Sequence, residues 1–379
     1  MKKFTFENRC CDCCGSKQLE ELQNYSVKTR TLSDLWMWKV RNVICRRCGF
    51  AFVAPVPSEK MLSEYYGDSF ELSQVNYSIE KRIEVISRHA CSKKASFLEI
   101  GGNNNSDFLR KLSSHVGKVH TLEINMNCES EFRTAGELQK NSIDVAVAYF
   151  VLEHVTRPRD FLLKYRGLIR DGGIFIIEVP NLYIYPQNPA GIFQCEHVNH
   201  FSPVSLARMA ESCGFQMIEV SQEECSRPFG FVAVLKKMPA KMDKTKNPSE
   251  YLFGKSCMIE GFAKVSRLLK EMESARKRIF TLSKNGEQVV IWGANWICLR
   301  LLDDLELPPS AIVVDRDPQK ETYFENVRVL TPEYAIKHIK KSSYFVINTR
   351  YYSSEIISWI AKFANRKLKP DEYSVLDYY

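Results

Sequence analysis

The stretch Phe97-Leu-Glu-Ile-Gly-Gly-Asn-Asn-Asn-Ser-Asp-Phe-Leu109 decides the fold. A short apolar run ends in an acid, two glycines and a polar turn, and apolar positions at helical spacing follow. This order predicts a strand, a tight loop and a helix. In such a loop the glycines let the main chain approach a ligand, and the acid accepts hydrogen bonds from it. Loops that wrap a nucleoside have this pattern, and so do plain strand–helix connections.

Strand-like and helix-like segments continue to alternate after this loop. Parallel strands are predicted at Val119–Glu123, Asp144–Tyr149 and Gly173–Val179, a helix near Pro158–Leu168, and antiparallel strands at Phe215–Val220 and Gly230–Leu235. This alternation predicts an α/β fold with a doubly wound, Rossmann-like parallel sheet, which binds ligands at the carboxyl ends of its strands.

Glu123 ends the second predicted strand about twenty residues after the glycine loop, where a carboxylate can accept both ribose hydroxyls of a nucleoside. A surface acid that merely ends a strand is the alternative. The segment from Glu123 to Asp144 is about ten residues too short for a full helix and a further strand. We therefore expect one helix of this domain to be reduced to a turn.

The cysteines indicate a metal site. Two knuckles of the form Cys-x2-Cys-Gly occur near the N-terminus, and two such turns can close a tetrahedral shell of thiolates around Zn²⁺. The predicted ligands are Cys11, Cys14, Cys45 and Cys48. Since Cys10 and Cys13 have the same spacing, the register of the first knuckle stays open, and a reduced, metal-free cluster is the alternative. Four thiolates leave no open position, so the metal is expected to be structural.

Length and pattern predict four parts: a zinc ribbon over residues 1–56, a cofactor-binding domain over 57–238, a linker and docking helix over 239–286, and a smaller α/β domain over 287–379. Apolar positions from Tyr251 to Leu282 keep helical spacing, which predicts a helix that docks between domains or forms a coiled-coil dimer. Val289 to Asn295 again reads as strand, glycine turn and helix, and Asp315 ends a further strand.

Composition limits the possible partners. Apolar residues make up 45% of the chain and charged residues 26%, as in soluble globular proteins, and no apolar run is long enough to span a membrane. The start resembles no signal peptide, so a cytoplasmic protein without membrane insertion is expected. The net charge of +8 is spread out, and its densest stretch, Lys236 to Lys246, lacks interleaved aromatic residues. This stretch is predicted to be a solvated linker rather than a nucleic-acid site.

Several motifs together resemble a known family. Glu99-Ile-Gly-Gly-Asn103, Asp144, Val151-Leu-Glu-His154 and Asp171-Gly-Gly-Ile-Phe-Ile-Ile-Glu-Val-Pro-Asn181 are similar to motifs of class I S-adenosylmethionine-dependent methyltransferases. The zinc knuckles, Glu196-His197-x2-His200-Phe201-Ser202, and Trp292-Gly293-Ala294 with Asp315-Arg-Asp-Pro-Gln-Lys320 follow in the order found in zinc-containing sugar C-methyltransferases. The resemblance covers nearly the whole chain.

The resemblance implies a cofactor, a substrate and residue roles. The cofactor would be S-adenosylmethionine, bound by Glu99, Gly101, Gly102, Asn103, Glu123 and Tyr149. The substrate would be a nucleotide-linked ketosugar of deoxysugar or polysaccharide biosynthesis, deprotonated next to its carbonyl so that the enolate attacks the methyl group. His197 would be the base or proton relay, Glu196 its orienting partner, and His154 would face them. Substrate contacts would come from Asn199, His200, Asp315 and Arg350, although His154 and His200 could instead brace loops, and Asp315 and Arg350 could be solvated.

The chain also departs from the family pattern. Gln194 and Cys195 replace a tyrosine and a histidine, so that Tyr183 or Tyr185 would have to supply the phenol, and Asn105 replaces a glycine. The alternatives are therefore a methyltransferase for another small or carrier-bound substrate, or a non-catalytic binding protein of this fold. A monomer and a homodimer are both compatible with the sequence.

Overall fold

The computed structural model describes most of the chain. The described residues are 2–31, 34–67, 77–89, 92, 94–102, 106–124, 128–193, 195–239, 246–294, 298, 301, 311–317, 328–348, 352–365 and 367–376. The predicted site residues Asn103 and Arg350, as well as Asn105 and Gln194, lie outside them. The described residues divide into two compact units, one up to residue 262 and the other from residue 263 onward.

The N-terminal part of the first unit is a small, mostly antiparallel sheet built around a long hairpin. The strands of this part are β1 (Lys2–Lys3), β2 (Phe6–Glu7), β3 (Leu19–Arg30), β4 (Leu35–Cys45), β5 (Ala51–Val53) and β6 (Val56–Pro57). β1 pairs with β4 in parallel, whereas β2 and β6 form a separate two-stranded sheet. β3 pairs with β4, and the sheet continues from β4 through β5 to β11 (Asn199–His200), which comes from the following domain. This sheet is thus completed by a strand that begins two residues after His197.

The following domain contains a six-stranded sheet. Its strands are β7 (Ser96–Ile100), β8 (Lys118–Leu122), β9 (Ile143–Tyr149), β10 (Ile169–Pro180), β12 (Phe215–Ser221) and β13 (Gly230–Lys237). They are ordered β12-β13-β10-β9-β7-β8, with β7 to β10 parallel and β12 and β13 antiparallel. The predicted parallel sheet and antiparallel edge are both confirmed.

Helix α1 (Glu59–Gly67) packs with the N-terminal sheet, its Leu62 and Tyr65 joining the cluster of Trp36 and Trp38. The helices that accompany the six-stranded sheet are α2 (Ile79–His89), α3 (Asp107–Leu112), α4 (Pro158–Arg166), the short α5 (Ala190–Phe193) before β11, and α6 (Pro203–Ser212). Alternate residues of β9 enter two different cores: Val145 and Val147 pack in one, Ala146 and Ala148 in the other. Both faces of the sheet are therefore buried, as expected for a largely parallel sheet.

The segment between β8 and β9 is reduced, as its length predicted. Within its described residues, 123–124 and 128–142, the regular structure is a single 3₁₀ turn at Ala135–Glu137. Phe132 adds one isolated parallel bridge to Leu122 at the edge of the sheet. This bridge, on the edge strand β8, is the only pairing that the described part of the segment makes with the sheet.

The predicted linker begins later than its charge suggested. Lys237 lies in β13 and is buried, and its Nζ donates to Asn141 Oδ1 at 2.8 Å and to the Ile169 carbonyl at 2.6 Å. The basic stretch from Lys236 is thus partly a structural element, because backbone and amide oxygens satisfy the buried ammonium.

The long helix α7 (Pro248–Lys284) includes the predicted range and extends beyond it. In the second unit a parallel sheet has the order β16-β15-β14-β17-β18. Its elements are β14 (Val289–Trp292), β15 (Ile312–Val314), β16 (Arg328–Leu330), β17 (Tyr344–Ile347) and β18 (Tyr373–Val375), with helices α8 (Pro332–Ala335) and α9 (Ser353–Ala364). None of the helices in the described part of the chain combines the length and apolar character that a membrane span requires.

Candidate active site

The loop after β7 is shaped by its two glycines. Gly101 has a φ of +79°, and its amide donates to the Leu122 carbonyl at 2.8 Å, which ties the loop to the end of β8. A Cβ on Gly102 would lie 2.3 Å from Glu99 Oε2, so the acid folds against the space that a side chain would fill. The loop therefore requires glycine at both positions, for the backbone conformation at Gly101 and for the close approach at Gly102.

Glu99 lies at the bottom of this loop with an unsatisfied oxygen. Its side chain is buried, and Oε2 has no hydrogen-bond partner among the described residues. Burial, with a smaller effect from Glu123, raises the pKa of Glu99 to about 7. An orphaned acceptor beside a glycine-lined cradle fits a ligand that carries hydroxyls or a positive charge, as S-adenosylmethionine does.

The other predicted cofactor residues lie next to this loop. Ile100 pairs with Leu122 in β8 and with Ala148 in β9, so Glu123 and Tyr149 follow strand ends beside the Glu99 loop. The hydroxyl of Tyr149 is buried and lacks a hydrogen-bond partner within the described residues. The structure therefore brings Glu99, Gly101, Gly102, Glu123 and Tyr149 together at the carboxyl edge, and their role in cofactor binding stays a prediction.

Arg82 is a charged residue of this region that sequence reasoning missed. It comes from α2, and its guanidinium lies 3.8 Å from the ring centroid of Tyr149 and 4.1 Å from that of Tyr77. Its Nε and Nη2 donate to Glu178 Oε2 at 3.2 Å, and both side chains are buried. The arginine holds Tyr149 by a cation–π contact, with its charge balanced by Glu178. No local sequence motif predicts that Arg82 lies here.

A second cluster contains the predicted histidines. His154 ends a 3₁₀ turn after β9, and its ring centroid lies 4.7 Å from that of His197, which precedes β11. His197 Nδ1 lies 2.9 Å from the Gly191 carbonyl and must donate to it, which leaves Nε2 as the acceptor nitrogen. Burial is the main cause that lowers the pKa of His197 well below its usual value and that of His154 to about 4. Both rings are therefore neutral near pH 7.

Glu196 was expected to orient His197, but its hydrogen bonds go to other residues. Its Oε1 accepts hydrogen bonds from Tyr65 at 2.8 Å and Thr29 at 3.3 Å, so the carboxylate faces the N-terminal sheet and α1. The Gly191 carbonyl, rather than Glu196, orients His197. The resemblance implied that Glu196 orients His197; in the structure the Glu196 carboxylate bonds to Tyr65 and Thr29 instead.

The phenol that contacts the His154–His197 pair is also not one that the sequence suggested. Tyr183 donates to Glu250 at 2.6 Å, and the Tyr185 hydroxyl lies 3.1 Å from His200 Nδ1. Tyr66, at the end of α1, instead places its hydroxyl 3.1 Å from His154 Nδ1. Burial raises the pKa of Tyr66 well above its usual value, so it is a neutral phenol.

Glu153 is the third member of the histidine cluster. It is fully buried, and neither carboxylate oxygen has a hydrogen-bond partner among the residues described. Burial raises its pKa to about 8. Sequence reasoning quoted this residue only as part of a motif, and its environment becomes apparent only in three dimensions.

Asn199 and His200, predicted to contact substrate, are buried and engaged within the protein. Asn199 Nδ2 donates to the carbonyls of Leu152 and Val155, at 3.0 Å and 2.7 Å. His200 lies between Tyr185 and Asn42, with Nε2 2.8 Å from Asn42 Oδ1. These contacts fit the alternative in which His200 braces the loop, and substrate binding by either residue stays an untested prediction.

Asp315 lies in the second unit and supports the glycine turn there. Its Oδ2 accepts from the Ala294 amide at 2.8 Å and its Oδ1 from the Asp317 amide at 3.0 Å. Gly293 in this turn has a φ of +105°. The carboxylate thus stabilises its own loop, and its predicted role toward substrate is untested.

The cysteine cluster fits a tetrahedral metal. Cys11 Sγ lies 3.5 Å from Cys48 Sγ, and Cys14 Sγ lies 3.6 Å from Cys45 Sγ. Sulfurs about 2.3 Å from a zinc ion are about 3.8 Å apart, so the four thiols need hardly move to bind one. Cys10 is exposed and Cys13 packs toward the Ser205 carbonyl, which favours Cys11 and Cys14 as the first knuckle. The glycines that follow each knuckle, Gly15 and Gly49, have φ values of +73° and +78°.

Comparison with known proteins identifies the domain that carries the site. Residues 72–220 match the model of a methyltransferase domain family. No curated protein matches the chain. Similar solved structures include an S-adenosylmethionine-dependent methyltransferase from Archaeoglobus fulgidus (16% identity, 42% of this chain and 95% of that chain, TM-score 0.34). A 1,6-didemethyltoxoflavin-N1-methyltransferase from Burkholderia thailandensis is also similar (13% identity, 50% of this chain and 96% of that chain, TM-score 0.36). So is an S-adenosylmethionine-dependent methyltransferase from Aquifex aeolicus (15% identity, 48% of this chain and 99% of that chain, TM-score 0.35).

Proposed function

We propose that this S-adenosylmethionine-dependent methyltransferase methylates a carbon of a nucleotide-linked ketosugar. The methyltransferase class rests on the family match of residues 72–220, and the sugar substrate rests on the order of motifs along the chain. The single observation that carries the proposal is the neutral His154–His197 pair in the same domain as the Glu99 loop. Deprotonation next to a carbonyl needs an oriented base within reach of the proton, and the Gly191 carbonyl would orient His197 for this role.

The residues of the cofactor loop would hold S-adenosylmethionine. Glu99 and Glu123 would accept hydrogen bonds from it, and the glycines would let the main chain approach it. When bound, the cofactor supplies a methyl group already activated by a sulfonium. The protein therefore has to generate a carbon nucleophile and align it, and orientation alone can lower a barrier by about 7–11 kcal/mol.

His197 would accept the proton from the sugar carbon at Nε2. The Gly191 carbonyl fixes its Nδ1 proton, so the lone pair of Nε2 is available without a change of tautomer. His154 would lie beside it as a second neutral ring, with Tyr66 holding its Nδ1 side. A positioned base of this kind contributes about 10²–10⁴-fold in rate.

The zinc ribbon would support the site structurally. We propose a zinc ion bound by Cys11, Cys14, Cys45 and Cys48, with no open coordination position. These thiols pack in the same hydrophobic cluster as one face of the central sheet. The ribbon also holds Glu196 through Thr29 and pairs β5 with β11. Zinc would therefore stabilise the small sheet that pairs with β11, the strand directly after the His197 loop.

Two substitutions test the proposal. His197→Ala should lower methyl transfer to a nucleotide ketosugar by at least about 100-fold, with unchanged calorimetric affinity for S-adenosylhomocysteine. Glu123→Ala should weaken that affinity. His115, an exposed histidine at the end of α3, provides the matched control, and His115→Ala should behave as wild type. A His197→Ala enzyme with wild-type turnover would exclude the base role, and methylation of other acceptors only would exclude the sugar substrate.

A further inference from the structure

We propose that Glu153, His154 and His197 form a binding site for a divalent first-row transition-metal ion, distinct from the cysteine cluster. Among the described residues, one nitrogen or oxygen from each of the three side chains lies within 4.8 Å of the others. The inference concerns the cluster in which the proposed function places the base. The metal site is argued from the geometry of these residues and does not depend on the proposed function. Only its effect on catalysis rests on the proposed function.

The carboxylate of Glu153 is the first reason. It is completely buried, and both of its oxygens lack hydrogen-bond partners within the described part of the chain. A buried polar group without a partner is costly, and such a group in a native protein often marks an ion or water that belongs to the site. A cation between Glu153 and the two imidazoles would satisfy both oxygens at once.

The orientation of the histidines is the second reason. His197 Nδ1 is fixed by the Gly191 carbonyl at 2.9 Å, and His154 Nδ1 lies 3.2 Å from the Glu196 carbonyl. Metal-bound histidines commonly donate their second ring N–H to a backbone carbonyl in this way, which directs the other nitrogen to the ion. His197 thus presents Nε2 to a cation. His154 presents Nε2 in the tautomer in which its Nδ1–H donates to the Glu196 carbonyl and the Tyr66 hydroxyl accepts from it.

The three side chains could share one ion if they moved slightly closer together. His154 Nε2 lies 3.9 Å from Glu153 Oε1. Neighbouring ligands about 2.1 Å from one ion lie about 3.0–3.4 Å apart, so the side chains would have to approach by about an ångström. The His154 side chain is 27% exposed, which gives the ion a route of entry and leaves coordination positions for an outside ligand.

The ligand set selects the type of metal. Two imidazoles and one carboxylate suit zinc, manganese, iron(II) or cobalt(II) rather than magnesium or calcium, which prefer oxygen ligands alone. Three protein ligands with open positions are typical of catalytic rather than structural sites. An ion bound by the Nε2 atoms of both histidines would occupy the nitrogen that the proposed function uses to accept the sugar proton, so metal binding and proton transfer would exclude each other. In the metal-bound state His197 would be a ligand, and its role as base would belong to the metal-free state.

Cobalt(II) is the probe for the test, since thiolate ligation gives an intense near-ultraviolet band that nitrogen and oxygen ligation lacks. Full-length protein would be dialysed against Co²⁺ and its metal content measured. Wild type should bind two equivalents, one with and one without the thiolate band. Glu153→Gln and His154→Asn should each bind one, with the thiolate band intact. Glu99→Gln, which changes another buried glutamate with an orphaned oxygen, should still bind two.

One equivalent in folded wild type, carrying the thiolate band, would overturn the inference, as would two equivalents in both Glu153→Gln and His154→Asn. Circular dichroism establishes that each variant is folded, and the second variant keeps the test valid if the first is not. Two equivalents in wild type, together with no methylation of any nucleotide ketosugar by protein that carries metal only at the cysteine cluster, would retain the metal site and remove the proposed function. One equivalent with full turnover would retain the proposed function and remove the metal site.

Discussion

Arg9 ties the N-terminal ribbon to both loops that carry the histidines, and its replacement is the most informative perturbation of the scaffold. Its Nε donates to the Val53 carbonyl at 2.9 Å, and its Nη2 donates to the Val198 carbonyl at 2.7 Å. Nη1 donates to the Thr156 carbonyl, two residues after His154. The side chain is only 8% exposed. One guanidinium thus joins the strand β5, the His154 loop and the His197 loop.

The size of the effect follows from these contacts. Arg9→Met keeps much of the apolar stem and removes the guanidinium. Three backbone carbonyls, Asn199 Oδ1 and the Asp12 carboxylate then lose this donor. Hydrogen bonds to charged groups are worth about 1.5–3 kcal/mol each and are not additive, and disrupting a buried charged contact typically costs about 3–5 kcal/mol. We expect the free energy of unfolding to fall by about 3–5 kcal/mol. For a unit of this size the midpoint should fall by roughly 6–20 °C.

The assay is thermal and urea unfolding of full-length protein, combined with turnover and calorimetric titration of S-adenosylhomocysteine. Because Arg9 contacts the histidine loops and not the Glu99 loop, turnover should fall much more than cofactor affinity. Arg157 provides the control: its side chain is 55% exposed, and its Nη2 lies 3.7 Å from Glu7. Arg157→Ala should change stability by no more than about 0.5–1 kcal/mol. An Arg9→Met midpoint equal to that of Arg157→Ala would refute the reasoning.

Two further predictions concern Glu99 and the cysteine cluster. The pKa of Glu99 is raised from 4.5 to about 7 by burial, so the stability that its protonated form contributes is present below about pH 4.5 and lost as the pH rises through 7. Relative to Glu99→Gln, cofactor-free wild type should therefore lose up to about 3 kcal/mol between pH 4.5 and 8 in urea unfolding; parallel curves for the two proteins would contradict this. Removing zinc from the cysteine cluster with a chelator should unfold residues 1–56 and abolish turnover before it affects cofactor affinity, as followed by circular dichroism and calorimetry. Zinc release and loss of cofactor affinity in strict proportion would show that the two sites are not separable.

Local patterns in the sequence predicted most of the central domain. The strand before the glycine loop was expected at Phe97 and lies at Ser96–Ile100, and the strand predicted at Gly230–Leu235 lies at Gly230–Lys237. The two antiparallel edge strands and the reduced segment before β9 were also predicted. These features depend on apolar spacing, glycine turns and segment length, which are properties of neighbouring residues.

The predicted carboxyl-edge cluster could be placed for the same reason. Parallel strands of one sheet end at the same edge, so Glu99, Glu123 and Tyr149 had to lie near each other once the strands were recognised. The knuckle cysteines converge because each Cys-x2-Cys turn directs two thiols to one point. Only the choice of Cys11 and Cys14 over Cys10 and Cys13 required coordinates, since both pairs have the same spacing.

The tertiary structure alone decided which partners the site residues have. Arg9 bonds to Thr156 and Val198, Tyr66 reaches His154, and Glu196 turns toward Tyr65, all across large separations in sequence. The Glu153 carboxylate oxygens have no hydrogen-bond partner among the described residues, and this too depends on which groups surround them once the chain has packed. Such contacts arise where separate elements meet, and no periodicity encodes them. The sequence by itself therefore determined the sheet, the glycine loop and the metal knuckles, while long-range packing determined the hydrogen bonds and protonation states of the histidine cluster.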